Sequence, residues 1–233
     1  MLEIHGLSLG MVQAYLLASA RGFILVDAGM PGFENRVLRR IRSLDGGELR
    51  LIFITHAHID HYGSAAALRR ATGAPIAIHH ADVNTMAMGR SPLGDPRGMG
   101  RIVGAVMPLI ERIVPLEPTE ADIVLKDGDS LDDYGIDAYV LHTPGHTLGS
   151  SSLIVEGKYA FVGDLLSTYR KPHVQRLFAQ DWSAIGQSLD RLEAGKPELI
   201  YSGHGKRPLT LQELIDLRKA RCNRYIGGLF IMT

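Results

Sequence analysis

Apolar residues occur in short runs interrupted by polar turns, and their spacing alternates between the periods of strands and helices. Val12 to Ser19 and Gly22 to Val26 are apolar runs on either side of Ala20-Arg21-Gly22, which predicts a β-hairpin leading into a turn at Asp27-Ala28-Gly29. Phe33, Val37, Leu38 and Ile41 follow at helical spacing, and Leu51-Ile52-Phe53-Ile54 suits a strand buried on both faces. The Ala- and Leu-rich stretch from Asp60 to Thr72 predicts one helix closed by Gly73; Pro75 to His79 predicts a strand, and Ala81 to Met88 another helix. The first half therefore has the strand–helix–strand order of an α/β fold.

Between Ser91 and Thr119, prolines at 92, 96, 108, 115 and 118 and glycines at 94, 98, 100 and 104 break the periodicity. Residues 91–119 are expected to leave the sheet, carrying the apolar stretch Ile102 to Ile113 as a substrate-covering wall or an interface. Sheet-like runs resume at Ile136 to His142, Ser151 to Val155 and Tyr159 to Val162, the last two joined as a hairpin by Glu156-Gly157-Lys158. Ile185, Leu189 and Leu192 mark a helix, Glu198 to Tyr201 a strand, and Leu211, Leu214, Ile215 and Leu217 a final helix. No repeat or linker-like shift of composition divides the chain, so residues 1–233 are expected to form one domain.

Composition narrows the function by exclusion. Apolar residues make up 45% and charged residues 21%, the balance of a folded globular protein. Lys and Arg total 25 against 25 Asp and Glu, so no net field attracts nucleic acid or an anionic membrane. The basic sets Arg36, Arg39, Arg40, Arg42 and Arg218, Lys219, Arg221, Arg224 read as solvated helix faces. The single cysteine, Cys222, can form no intrachain disulfide and fits a reducing cytoplasm. No apolar run approaches the roughly 18 residues of a membrane span, and the N-terminus lacks a basic secretory start. These features favour a cytoplasmic protein acting on a small molecule, with a homodimer as the one assembly the excursion suggests.

The histidines add the chemistry. Thr55-His56-Ala57-His58-Ile59-Asp60-His61 lies between an apolar strand and a predicted helix; at this chain's residue frequencies His-x-His-x-Asp-His arises by chance in about one such chain in a thousand. In an extended loop His56 and His58 project to one side, while the turn into the helix re-aims Asp60 and His61 toward a second position. Four ligands can thus serve two metals. His146, Asp164 and His204 each follow a predicted strand and adjoin glycine, so they can meet the first motif at one edge of a layered sheet. Nitrogen and oxygen donors suit zinc first, with iron and manganese also compatible. Two such cations would acidify a bridging water, polarise the bond under attack and stabilise the leaving atom. Asp60 is a candidate proton relay as well as a ligand.

Taken together, Leu25-Val26-Asp27-Ala28-Gly29, the His-x-His-x-Asp-His segment, Thr143-Pro144-Gly145-His146, Gly163-Asp164 and Gly203-His204-Gly205 resemble the metallo-β-lactamase-fold hydrolases over nearly the whole chain. The resemblance implies a four-layer αββα sandwich with two metals at one edge. His56, His58 and His146 would hold one ion, Asp60, His61 and His204 the other, and Asp164 would bridge them, with Asp27 in support. Departures narrow the branch. True dinuclear β-lactamases use a cysteine or lack the bridging aspartate, flavodiiron enzymes carry Glu where this chain has His58, and glyoxalase II enzymes extend further beyond the last histidine. Acyl-homoserine lactonases place a tyrosine where Ser167 stands, and persulfide dioxygenases follow the bridging aspartate with a different segment. The resulting expectation is a dinuclear metal-dependent hydrolase of a small ester, thioester or lactone. A metal-dependent phosphodiesterase and a mononuclear-iron persulfide dioxygenase are the alternatives. Tyr169 and His173, just beyond Asp164, are candidates to contact substrate and stabilise a developing oxyanion. His142 is expected to be packed or hydrogen-bonded, and His79 and His80 to cap a helix.

Overall fold

The chain begins as sheet one strand earlier than its hydrophobic pattern predicts. In the computed structural model, which describes residues 2–44 and 47–227 apart from the side chains of residues 111 and 221–227, β1 (Glu3–Leu9) pairs antiparallel with β2 (Val12–Ser19), and β2 with β3 (Gly22–Val26). The side chains of Cys222, Arg221 and Arg224 lie outside the described set. Helix α1 (Glu34–Arg42) leads to β4 (Leu49–Ile54), parallel to β3, and α2 (Ile59–Tyr62) and α3 (Ala65–Thr72) lead to β5 (Ile76–His79), parallel to β4. After α4 (Val83–Ala87), β6 (Asp95–Pro96) and α5 (Gly100–Ile113), strand β7 (Ile123–Leu125) completes a six-stranded sheet of order β1-β2-β3-β4-β5-β7.

The second half repeats the plan. Strands β8 (Ala138–His142), β9 (Ser151–Val155) and β10 (Tyr159–Phe161) form an antiparallel meander. The short strands β11 (Leu166–Ser167), β12 (His173–Val174) and β13 (Phe178–Ala179) follow, then α6 (Ala184–Ala194), β14 (Leu199–Tyr201), β15 (Leu209–Thr210) and α7 (Leu211–Gly227). The second sheet has the order β15-β14-β10-β9-β8.

Strand parity explains why these runs are apolar throughout. Tyr15, Leu17, Ile24, Val26, Leu51 and Phe53 face the second sheet and pack with Val140, Leu153, Val155 and Phe161. Their neighbours Leu16, Leu25, Ile52 and Ile54 face outward onto Val37, Ile41, Leu68 and Met86 of the first helical layer. On the far side Ile154, Ala160 and Ile200 pack against Ile185, Leu189, Leu192 and Leu214. Sheets covered on both faces cannot alternate apolar with polar residues, and the result is the expected αββα sandwich. No helix among the described residues is long and apolar enough to cross a membrane.

Two predicted helices differ from expectation. The stretch 60–72 is broken at Gly63-Ser64, because the Ser64 hydroxyl leaves the helix direction to donate to Met30 O at 2.5 Å and to accept from Phe33 N at 3.0 Å. The segment 81–88 opens as a 3₁₀ turn over His80–Asp82 before α4. Within the excursion, Ile102 to Ile113 belongs to α5, which continues through Pro108 and leaves Met99, Ile102, Val103, Val106, Leu109 and Ile113 exposed.

Candidate metal centre

Strand direction brings the chemistry to one edge. β3, β4 and β5 run parallel, and in the second sheet β10 is parallel to β14 and two antiparallel steps from β8, so the strands of each set end together, and donor groups drawn from both sheets put the two sets of ends at one edge. Asp27, His56, Asp82, His146, Asp164 and His204 each lie within four residues of one of those C-terminal ends. Asp27 sits at φ +62, a left-handed conformation that Asp adopts more readily than most residues. The turn before His204 needs glycine for contact: a Cβ on Gly203 would stand 2.6 Å from His61 Cε1 and 2.8 Å from Asp164 Oδ1.

The seven predicted ligands converge. His56, His58 and His146 bring ligand atoms within 4.8 Å of one another, as do Asp60, His61 and His204, and as do His56, His61 and Asp164. Asp164 stands between the outer groups: Oδ2 is 3.5 Å from His146 Nε2 and 3.3 Å from His204 Nε2, and Oδ1 is 3.3 Å from His61 Nε2. Asp60 Oδ2 lies 3.5 Å from His204 Nε2 and 3.9 Å from His61 Nε2.

The far nitrogen of each imidazole is committed elsewhere. His58 Nε2–H donates to Pro92 O at 3.0 Å and His204 Nδ1–H to Met11 O at 3.0 Å, while His146 Nδ1 lies 3.0 Å from both Phe178 O, which accepts, and the Gln175 Nε2 amide, which donates. A carbonyl only accepts, so the His58 and His204 nitrogens carry the protons. His61 Nδ1 contacts Asp27 Oδ2 at 2.7 Å, and His56 Nδ1 lies 3.0 Å from Thr55 Oγ1, whose hydroxyl also reaches Asp27. Such outer contacts orient metal-binding imidazoles and raise their basicity.

The inward atoms are left needing a cation. His58 Nδ1 and His146 Nε2 face each other at 2.9 Å, a distance at which two ring nitrogens need a proton or a cation between them. His56 Nε2 is buried with no hydrogen-bond partner, a costly state for a polar atom, and the equally buried His61 Nε2 and Asp164 Oδ1 have only each other, at 3.3 Å. The donor set thus fits nitrogen- and oxygen-preferring divalent ions.

Electrostatics divides the centre. Burial, reinforced by neighbouring imidazoles, pushes His56 well below the usual histidine range and His146 to about 3. Burial also opposes charge on His61 and His204. There the carboxylates prevail: Asp27, Asp60 and Asp164 raise His61 well above its usual range, and Asp164 and Asp60 raise His204 to about 12. Burial likewise disfavours charge on Asp60 and Asp164, but His61 and His204 hold both well below the usual carboxylate range. His56 and His146 are therefore neutral imidazoles, while at the other end a cation would take the place of protons, which links metal binding to pH.

Solvent reaches the centre from the second end. Asp60 and His204 side chains are 28% and 24% exposed, whereas those of His146 and His61 are 2% and 0% exposed. Tyr169 and His173 lie on the β11–β12 hairpin beside the His204 loop: Thr168 N and Ser167 Oγ donate to His204 O, and His173 pairs with Ser167. Tyr169 is exposed, and the hydrogen bonds of the two residues run to Ser167 and Lys171 rather than to the seven ligands. His142 stacks on His79 with ring centroids 4.0 Å apart and donates to Leu148 O, while His79 Nδ1 accepts from Ala81 N. The sequence reading missed Pro92, Phe178 and Met11, which act through backbone carbonyls, and Asp82, whose signal was an acid three residues after β5 at the same sheet edge.

Comparison with known proteins agrees with this arrangement. The Bacillus subtilis protein described as "Probable metallo-hydrolase YflN" is 25% identical over 87% of this chain and 83% of its own length. A hydroxyacylglutathione hydrolase of Cereibacter sphaeroides is 31% identical over 68% of this chain and 49% of its own length. Among solved structures, TTHA1623 in a di-iron-bound form superposes with a TM-score of 0.67 and 28% identity, over 92% of this chain and 96% of that one. The sequence profile of the Metallo-beta-lactamase superfamily matches residues 7–204, spanning every donor from Asp27 to His204. A centre built at the shared edge of two sheets, with that profile running through all its donors, makes this chain a member of the metallo-β-lactamase superfamily.

Proposed function

We propose that this protein is a dinuclear metal-dependent hydrolase of a small ester, thioester or lactone. The observation that carries the reading is that Asp164 stands between two donor groups, with Oδ2 3.5 Å from His146 Nε2 and 3.3 Å from His204 Nε2, while buried His56 Nε2 lacks any hydrogen-bond partner. His56, His58 and His146 would hold one ion, and Asp60, His61 and His204 the other. Bound there, two divalent cations, zinc by preference with iron or manganese also suited, supply an acidified water and Lewis acidity toward an acyl carbonyl.

The chain's own residues do the rest. Asp60, ionised and on the solvent side, can accept a proton from the attacking water and return it to the leaving oxygen or sulfur. Buried His56 and His146 keep water from the opposite side. Tyr169 and His173 rim the open end, where the phenol can donate to an oxyanion. The apolar residues of α5 offer a surface for the acyl portion; the loop that carries the helix is tied to the centre through Pro92 O on His58. The likeness to hydroxyacylglutathione hydrolase supports a thioester within this class.

Metal stoichiometry and turnover measured on one purified sample test the proposal. Two ions per chain, with hydrolysis of nitrophenyl esters, thioesters or lactones, are expected. Turnover confined to bis-nitrophenyl phosphate would replace it with a phosphodiesterase; one iron with oxygen-dependent turnover of persulfides would replace it with an oxygenase.

A further inference from the structure

Asp82 belongs to none of the donor groups, yet it is 2% exposed and its carboxylate is filled entirely from loops that carry ligands. Oδ2 accepts from Ala57 N at 2.8 Å and from Thr147 Oγ1 at 2.8 Å, and Oδ1 accepts from Gly149 N at 2.9 Å. Ala57 stands between His56 and His58; Thr147 and Gly149 follow directly after His146. The first loop hangs from the six-stranded sheet and the second from the five-stranded sheet, so this one carboxylate spans both.

We propose that Asp82 is the positioning residue of the His56–His58–His146 pocket: a buried anionic staple that holds the two halves of that ligand set in register across the two sheets. This rests on the metal-binding reading above and deepens it. His58 Nδ1 and His146 Nε2 meet at 2.9 Å from loops of different sheets, so the pocket needs an attraction that fixes the separation of those loops. A carboxylate accepting three hydrogen bonds supplies it, and charge-assisted bonds are about twice as strong as neutral ones. Asp27 plays a matching part at the other end, where it accepts from Thr55 N and contacts His61 Nδ1. Asp82 touches no ligand imidazole and acts purely through the backbone and Thr147.

The local sequence is fitted to this contact. A Cβ on Gly149 would lie 2.5 Å from Asp82 Cγ and 2.6 Å from Oδ1, and the glycine's φ is not positive. Space, rather than backbone conformation, requires glycine there. At position 82 asparagine would retain the shape but present an amide NH₂ to an N–H donor in either orientation, because both carboxylate oxygens accept from backbone amides.

The test is zinc retention by the full chain against graded chelator, with cobalt(II) absorption identifying which ion is lost by comparison with the variants His146→Ala and His204→Ala. Asp82→Asn and Gly149→Ala are each expected to bind the His56–His58–His146 ion about 10–100-fold more weakly while holding the other as wild type does. Thr147→Val should weaken the same ion, and Thr147→Ser, which keeps the hydroxyl, should restore it. Wild-type affinity for both ions in Asp82→Asn, or in Gly149→Ala and Thr147→Val should Asp82→Asn fail to fold, would overturn the staple. Equal weakening of both ions would also overturn it, by reducing Asp82 to general structural support. A wild-type chain that binds no metal would remove the hydrolase reading and the staple together, an outcome distinct from either.

Discussion

Asp164 presents two oxygens to ring nitrogens of His61, His146 and His204, drawn from both outer donor groups. Asp164→Ala is therefore expected to reduce metal content from two ions to less than one per chain and to lower turnover at least about 100-fold, beyond the usual effect of losing a partner outside the ligand set. Far-UV circular dichroism should be unchanged, since the side chain lies outside the three apolar clusters. Elemental analysis and kinetics on the same preparation check this; wild-type metal content with wild-type turnover would put Asp164 outside the centre. The gathering of these seven side chains was legible in the sequence because their chemistry resides in residue type: imidazoles and carboxylates beside glycine at strand ends. Their supports were much less so. Three of the five imidazoles turn their outer nitrogen to a carbonyl, that of Pro92, Phe178 or Met11, and every residue carries that group. Asp82 is visible by type, but only the fold brings Ala57 and Gly149 to it.

At the scale of elements, strands buried on both faces were read well and edge elements poorly. β1 alternates exposed, half-buried and buried positions, and β7 has three residues, so neither presents the continuous apolar run that marks β4. The break between α2 and α3 depends on Ser64 reaching Met30, a long-range contact that helix propensity does not encode. The end of β5 carries a pH-dependent feature. His79 is 2% exposed, and burial, with His142 and His80 beside it, pushes it down to about 4, while Asp127 and Asp129 oppose that shift. Its Nδ1 accepts from Ala81 N at the start of the 3₁₀ turn that leads through Asp82, which requires the neutral ring. In the unfolded chain a histidine takes up its proton near pH 6.5. Between about pH 6.5 and 4 the unfolded state thus binds more protons than the folded state, so this group lowers stability as pH falls through that window and contributes no slope outside it. Urea unfolding at intervals across the window should show the decline, and His79→Gln should flatten it. An unchanged slope in the variant would mean that His79 does not carry the effect.

On the scale of the molecule, the apolar clusters and the metal centre join the same two layers by different physics. Phe53 and Leu51 meet Phe161 and Leu153 between the sheets, burying apolar area without regard to direction. At the C-terminal edge, His56, His58, Asp60 and His61 come from the first sheet, and His146, Asp164 and His204 from the second, so each donor group draws on both sides of the seam. The layered order was legible because runs such as Leu51 to Ile54 have to be covered on both faces; the pairing of ligands across the seam follows from strand direction, which the sequence leaves open. Cross-seam binding has a thermodynamic consequence. Each donor group is assembled only in the folded chain, so an ion held at about 100 times its dissociation constant stabilises that chain by about 2.7 kcal/mol. For a chain of this size that corresponds to about 5–10 °C in Tm per ion. Chelation should therefore lower Tm by at least that amount while leaving far-UV circular dichroism at 25 °C unchanged, because the three apolar clusters remain intact without metal. In Asp164→Ala, which has lost the shared ligand, chelator should shift Tm by less than half as much. A wild-type Tm indifferent to chelator would mean that the seam is closed by packing alone and that the donors contribute nothing to holding the two sheets together.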